Sequence, residues 1–269
     1  MDVLDTKGSH RYILVAALNY VERGWNPIRL PHKSKNPGRS GWQNERTTVD
    51  QVERDFGNAA GPVNIGLLLG SSSRNLVDVD LDSPEAIALA DAFLPATNSV
   101  FGREGKPRSH RLYTVVGDLP KTERFTAPAG AIGVSAPVLV EVRSTGAQTV
   151  VPPSTHPTGE RIVWDCDGQA ALVTADELVS QVRMLAGAAL LARCWVPGIR
   201  HHVSLALAGT LLRSGWDAGQ AREFVTAIVE ACSDEERANR LTAVDDTYAA
   251  FTRGESVTGI PSLEDLLGE

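Results

Sequence analysis

The chain has 269 residues, of which 42% are hydrophobic, and this fits a globular protein with a sizeable core. The formal net charge of −7 excludes a global attraction to nucleic acid, so any phosphate binding must be local. The three cysteines, Cys166, Cys194 and Cys232, lie far apart without a CxxC pair, so we expect no zinc site and no disulfide framework. We interpret them as reduced, mostly buried thiols.

In chain order, the first 173 residues mix helix and strand patterns. Ser9 to Arg23 has the apolar spacing of a helix that stops at Gly24, and Thr48 with Gln51 forms a capping box that opens a short helix. Ser83-Pro84-Glu85 has the cap, proline and early acid of another helix start. Strands are predicted at 27–30, 64–69, 75–81, 111–116, 138–143, 149–151 and 162–164.

From about residue 174 the sequence becomes alanine-rich with helical apolar spacing. Capping boxes are predicted at Thr174, Asp217 and Ser233, each with a Glu or Gln three residues later. We therefore divide the chain into a mixed domain (1–173), a helical subdomain (174–256) and a tail or linker (257–269). The N-terminus lacks the basic and apolar regions of a signal peptide, and no apolar run approaches the ~20 residues of a membrane helix, so we expect a cytoplasmic protein without membrane contact.

The stretch LVDVDLD, residues 76–82, places carboxylates on alternate positions of a predicted strand. Asp78, Asp80 and Asp82 would share one face while the valines and leucines point into the core. Clustered like charges repel, and a hard cation such as Mg²⁺ or Mn²⁺ removes that repulsion. The alternative is a solvated strand end. We favour that alternative for Asp82, as part of a cap of the next helix, and favour metal binding for Asp78 with Asp80.

Glu141 is a lone acid inside the β-branched strand VLVEVRS, with Arg143 on the same face by period two. An isolated acid in a strand usually lies on a wet face. An acid and a base on one face also fit a metal with a phosphate, which makes Glu141 the candidate third carboxylate.

Basic residues are concentrated in GREGKPRSHRLY, residues 102–113. This stretch carries Arg103, Lys106 and Arg108, followed by Ser109 and His110 at the entry of a strand. Such a loop suits a triphosphate, with His110 donating a hydrogen bond to a phosphate oxygen. A solvated basic face and a structural histidine are the competing interpretations.

Two further segments carry polar groups with open roles. Gln148 lies on a predicted strand, and Ser154 and His156 follow Pro152-Pro153, where an ordinary β-turn is an equally good explanation. The polar loop 32–42 combines Lys35 with Trp42, which suits a phosphate backbone and a stacked base, although a surface loop over a core tryptophan fits as well.

The ordered set of these motifs resembles the bifunctional primase–polymerase branch of the archaeo-eukaryotic primase superfamily, over about residues 10–165. The residues that carry the resemblance are Gly24-Trp25, Lys35-Asn36-Pro37, Trp42, Asn64-Ile65-Gly66, Asp78 with Asp80, Ser109-His110, Glu141 and the PPSTHPTG turn. Members occur in phage and plasmid replication proteins, often fused to a helicase.

The resemblance implies a site and a fold. Asp78, Asp80 and Glu141 would be catalytic and would hold two Mg²⁺ or Mn²⁺ ions, with no zinc expected. His110 would bind the incoming nucleotide, helped by Ser109, although the family has one residue between serine and histidine. The implied fold class is α+β, with an RRM-like catalytic core and an accessory α/β unit, followed by a C-terminal α-helical bundle.

The resemblance also implies ligands and partners. We expect an NTP or dNTP as substrate. Besides His110 and Ser109, the residues expected to contact this nucleotide are Arg143, Arg108, Lys106, Gln148, Ser154 and His156. We expect a single-stranded DNA template and a helicase fused in cis or acting in trans. The weaker candidates for template contact are Lys35, Trp42, Arg103, Arg200 and Arg213.

The expected activity is template-directed nucleotidyl transfer that starts and extends primers. Two rival functions stay open: a non-catalytic nucleic-acid-binding module of a replication protein, and a nucleotide-sugar transferase that grips a diphosphate through DxD.

Overall fold

The computed structural model describes residues 3–128 and 137–267, and the side chains of residues 11–128 and 137–267. It shows a mixed α/β protein whose strands pair mainly antiparallel. The helices are α1 (Val3–Glu22), α2 (Val49–Val52), α3 (Pro84–Phe93), α4 (Ala175–Arg193), α5 (Arg200–Arg213), α6 (Ala218–Ala231), α7 (Arg237–Thr252) and α8 (Ile260–Leu267). The strands are β1 (Asn26–Pro31), β2 (Val63–Leu68), β3 (Leu76–Leu81), β4 (Ser99–Arg103), β5 (Lys106–Val116), β6 (Glu123–Thr126), β7 (Val138–Arg143), β8 (Gln148–Val151), β9 (Ile162–Asp167) and β10 (Ala171–Thr174).

The chain divides into two compact units, each assembled from separate stretches of sequence. The first unit contains Met1–Leu81, Pro95–Arg124 and Glu141–Val182. The second contains Asp82–Leu94, Phe125–Val140 and Arg183–Glu269. No helix among the described residues is long and apolar enough to cross a membrane.

The strands form two sheets. One has the order β1-β2-β8 and is antiparallel throughout. The other has the order β6-β7-β3-β5-β4-β9, and β10 pairs with β5 in parallel. β3 and β5 run antiparallel, with Asp78 opposite Leu112 and Asp80 opposite His110. Because this register fixes which side chains share a face, it brings His110 to the aspartates.

The core of the first unit lies under α1. Ile13, Ala17 and Tyr20 of that helix are buried in one apolar cluster with strand residues such as Ile65 and Phe101. The helix ends at Glu22, one residue before the predicted end at Arg23, and Gly24 follows with a φ of +79°, which disfavours any residue with a Cβ. α1 begins earlier than predicted, at Val3, and β5 begins five residues earlier, at Lys106.

The second unit is helical over most of its length. α5 packs against α6, α7 and α8, and α6 packs against α3. Phe93 and Phe224 meet edge to face at a centroid distance of 5.4 Å. The short helix α8 (Ile260–Leu267) lies in the segment 257–269, which the sequence analysis predicts to be a tail or linker.

The capping prediction at Ser233 is wrong. Ser233 has a φ of +49°, and the N–H of Glu236 donates instead to Asp234 Oδ1 at 2.9 Å. The boxes at Thr48 and Asp217 are present as predicted, and Thr174 accepts from the N–H of Glu177 at 3.3 Å.

One thiol also differs from the expectation, since Cys166 is exposed on β9.

Candidate active site

Buried carboxylates on β3 and β7 define the site. Asp78 and Asp80 project from the same face of β3, and their exposed fractions are 0% and 3%. Glu141 of β7 is 6% exposed. The alternative of a solvated strand end therefore fails for Asp78 and Asp80, and that of a wet face fails for Glu141.

The acidic cluster that could hold a metal ion includes Asp82, which the sequence analysis assigns to the cap of α3. One carboxylate oxygen from each of Asp80, Asp82 and Glu141 lies within 4.8 Å of the other two. Asp82 was interpreted as part of the cap of α3, but Ser83 is the N-cap, and its hydroxyl accepts from the N–H of Ala86 at 3.1 Å. Oxygen ligands of this kind suit Mg²⁺ or Mn²⁺.

Arg143 is the main counter-charge of these acids. Its guanidinium lies 2.7 Å from Asp80 Oδ2 and 2.8 Å from Glu141 Oε2. Burial, the largest single effect, lowers the pKa of Arg143, but the charges of Asp80, Asp78 and Glu141 raise it above its ordinary value. Arg143 therefore stays charged and bridges the two strands that carry the acids.

His110 is held between the aspartates and an aromatic ring. Its Nδ1 lies 3.0 Å from Asp78 Oδ2, and its Nε2 lies 3.7 Å from Asp80 Oδ1. The imidazole stacks on Phe101 with a centroid distance of 4.5 Å and an interplanar angle of 4°. Burial is the largest effect and lowers the pKa of His110, but the charges of Asp80 and Asp78 and the hydrogen bond with Asp78 outweigh it and raise that pKa.

Two carboxylate oxygens of the site lack a hydrogen-bond partner among the described residues, although Asp80 Oδ1 lies 3.7 Å from His110 Nε2. Within the part of the chain whose side chains are described, Asp78 Oδ1 and Asp80 Oδ1 are buried and accept no hydrogen bond. A buried carboxylate oxygen without a partner is costly, and a bound cation removes that cost. The residues present therefore fit a divalent ion.

Several other candidate residues lie away from this face or have structural partners. Ser109 is adjacent to His110 on β5 and so projects from the opposite face of the strand, where it is buried. The hydroxyl of Ser154 accepts from the N–H of Ile65 at 2.8 Å and donates to its carbonyl at 3.3 Å. These positions argue against the predicted nucleotide contacts of both serines, because neither hydroxyl is directed at His110.

The remaining nucleotide candidates lie at the ends of strands and in loops. Arg108 pairs with Asp165 at 2.6 Å, and Gln148 donates to the carbonyl of Lys35 at 2.6 Å. Lys106 begins β5, and His156 lies in the loop after β8.

The template candidates also have defined contacts. Trp42 packs against the apolar cluster of the first unit, and Arg103 pairs with Glu160. Arg213 donates to the carbonyl of Thr258 at 2.7 Å. Arg200 is 13% exposed and lies 3.0 Å from Glu235. These contacts explain Trp42, Arg200 and Arg213 without a template.

Sequence reasoning missed Phe101 and Arg124. Phe101 lies on β4, a strand that was not predicted, and Arg124 Nη2 lies 2.9 Å from Glu141 Oε1. Neither residue stands in a local pattern with the acids. Only the pairing of β4 with β5 and the position of β6 beside β7 bring them to the site.

Buried carboxylates, an arginine and a histidine on neighbouring strands of a mixed α/β fold define a site that could hold a divalent cation. The family model of the bifunctional DNA primase/polymerase N-terminal domain (Prim-Pol) matches residues 17–178. The chain belongs to this family, as the sequence motifs predicted, and the match includes all of Asp78, Asp80, His110 and Glu141. The family implies nucleotidyl transfer with DNA and nucleotide substrates. No curated protein matches the chain.

Proposed function

We propose that this protein catalyses template-directed nucleotidyl transfer on single-stranded DNA, both starting primers and extending them. The observation that carries the proposal is the convergence of Asp80, Asp82 and Glu141, with Asp78 buried on the same face of β3 as Asp80, inside a Prim-Pol domain. A protein that only binds DNA gains nothing from buried carboxylates, because these acids would repel the phosphate backbone.

Asp78, Asp80 and Glu141 are the proposed ligands of two Mg²⁺ or Mn²⁺ ions, and Asp82 is an additional candidate. Metal ions held by these carboxylates would supply Lewis-acid activation of a 3′-hydroxyl and charge neutralisation for the triphosphate and its pyrophosphate leaving group. His110 and Arg143 both lie against Asp80, and the charges of the neighbouring carboxylates raise the pKa of each. They are therefore the proposed contacts of the incoming triphosphate. Positioning and electrostatics would supply most of the rate.

The proposed setting is phage or plasmid replication, with a helicase in cis or in trans. This setting follows from the family resemblance.

The test is incorporation of labelled nucleotides on unprimed and on primed single-stranded DNA, with Mg²⁺ or Mn²⁺. Asp80→Asn keeps the shape of the side chain but removes its charge, and we expect it to abolish both activities. The matched control is Asp118→Asn, an exposed turn residue, which should leave both unchanged. Full synthesis by Asp80→Asn would contradict the site assignment.

Two further outcomes separate the rival functions. Extension of a supplied primer without unprimed products would retain the polymerase and reject primer initiation on the template used. DNA binding without incorporation in either assay would favour the non-catalytic module.

A further inference from the structure

Three loops of the first unit bring together four cations and a histidine that are not part of the acidic site. Lys33 and Lys35 follow β1, Arg103 and Lys106 flank the turn between β4 and β5, and His156 lies in the loop after β8. We call these five residues the basic cluster. They come from distant parts of the sequence in a protein with a net charge of −7.

A buried amide fixes the first and third loops to each other. Asn64 of β2 is 1% exposed, and its Nδ2 donates to the carbonyls of Ser34 at 3.3 Å and of Thr155 at 2.7 Å. Its Oδ1 accepts from the N–H of Thr155 at 2.9 Å. One side chain therefore holds the backbone beside Lys33, Lys35 and His156.

Glu160 fixes the second loop to the third. Its carboxylate pairs with Arg103, accepts from the N–H of Gly105 at 2.6 Å and accepts from the hydroxyl of Thr158 at 2.7 Å. Thr158 in turn contacts His156 Nδ1 at 2.8 Å. A Cβ on Gly105 would stand 2.7 Å from Glu160 Oε1, so a larger residue there would displace the Glu160 carboxylate from this contact.

The cluster produces a positive field at His156. Burial, the largest effect, lowers the pKa of His156, and the charges of Lys35, Arg103 and Lys106 lower it further against the opposing charge of Glu160. Lys33 Nζ also approaches the tip of this loop, 3.9 Å from the position of a Cβ on Gly159. Among the charges near His156, the cations outweigh the anion.

We propose that the basic cluster binds the phosphate backbone of a single-stranded DNA, which is the template if the proposed function holds. Lys33 and Lys35 lie on one loop and Arg103 and Lys106 on another, with His156 beside both loops, which suits successive phosphates of a strand that crosses the two loops. The loops are braced by Asn64 and Glu160, so little conformational entropy is lost on binding. Lys106 pairs with Arg103 of β4, two residues beyond Phe101, which pairs with His110, so the cluster lies beside the acidic site at a spacing of about 7 Å along β4.

The shared chemistry of the ligand is the phosphate oxygen, and a nucleoside triphosphate is the other possible source. The experiment measures binding of a labelled oligo-dT to the whole chain by fluorescence anisotropy, in EDTA, over a salt series. EDTA makes the measurement independent of synthesis, so it can fail or succeed separately from the proposed function.

Lys33→Gln/Lys35→Gln is the test variant. Loss of two phosphate contacts should reduce the slope of log affinity against log salt by about 1.4, since each contact to a single strand contributes about 0.7. The matched control is Lys121→Gln/Arg253→Gln, which removes the same charge from exposed positions outside the cluster and should keep the wild-type slope.

Three results would overturn the proposal. One is an unchanged slope in the test variant, and another is an equal reduction in the control, which would indicate an effect of net charge alone. The third is an unchanged DNA slope with weakened binding of dTTP, because the ligand would then be the triphosphate. Asn64→Ala should weaken DNA binding without changing any charge, as expected if the bracing orders the cluster.

Discussion

Replacing Arg143 by glutamine tests the electrostatic balance of the acidic site. The guanidinium lies 2.7 Å from Asp80 and 2.8 Å from Glu141, and these acids are 3% and 6% exposed. Glutamine removes the charge, so two buried carboxylates lose their shared partner. Removing one member of a buried ion pair costs about 3–5 kcal/mol, and we expect about 3 kcal/mol because the Arg143 side chain is itself 23% exposed.

The assay is thermal unfolding in EDTA and then with Mn²⁺. A loss of about 3 kcal/mol corresponds to a fall in Tm of roughly 6–12 °C. Mn²⁺ should restore much of this loss and should stabilise the variant more than the wild type, because the ion supplies the missing positive charge.

Arg253→Gln is the control for the Arg143 variant. Arg253 pairs with Glu255 at 2.5 Å, but both side chains are more than half exposed, at 59% and 54%, so solvent screens the pair and its loss should change the Tm far less than the loss of Arg143. If Arg143→Gln melted together with this control, or if Mn²⁺ raised the Tm of wild type and variant equally, Arg143 would not balance metal-binding acids.

Three smaller perturbations test other parts of the molecule. Phe101→Leu removes the ring stacked on His110, and we expect a lower kcat in primer extension with the fold retained by circular dichroism. Burial, the largest effect, raises the pKa of Asp234, but hydrogen bonds from Glu236, Trp195 and Arg240 lower it below 3.8, so its stabilisation is present at neutral pH and is lost in acid. Asp234→Asn should therefore be less stable than wild type at pH 7, and urea unfolding should show this deficit shrink below pH 4. Asp217→Ala removes the side-chain cap of α6 and should cost about 1 kcal/mol in urea unfolding.

Local signals predicted much of the secondary structure because they depend on neighbouring residues alone. The Thr48 and Asp217 boxes formed as expected, and α1 ends at Glu22, one residue before its predicted end and two before Gly24. β4 was missed because SVFGR has no clear alternation, and it becomes a strand through its pairing with β5 and β9. The Ser233 box failed because Asp234, one residue later, competes for the same N–H.

In the candidate site, too, local patterns predicted some contacts, and long-range strand pairing determines the others. Period two along β3 and β7 was sufficient to place Asp78 with Asp80 and Glu141 with Arg143 on shared faces. The sequence did not contain the pairing of β3 with β5, which decides that His110 and not Ser109 faces Asp80. The contacts of Arg124 and Phe101 depend on the same long-range pairing, so no local pattern predicts them.

Burial makes the acidic site informative about function. Ionised carboxylates inside a protein lose their hydration, and buried ion pairs rarely stabilise a fold more than apolar side chains of similar size would. Arg143 and His110 offset part of the cost at Asp78, Asp80 and Glu141, yet within the described residues one oxygen of each aspartate still has no hydrogen-bond partner. A site selected only for stability would be better filled by valine or leucine, as in the rest of LVDVDL. The arrangement is therefore better explained by a ligand that needs these oxygens, and a divalent cation is the ligand whose chemistry they match.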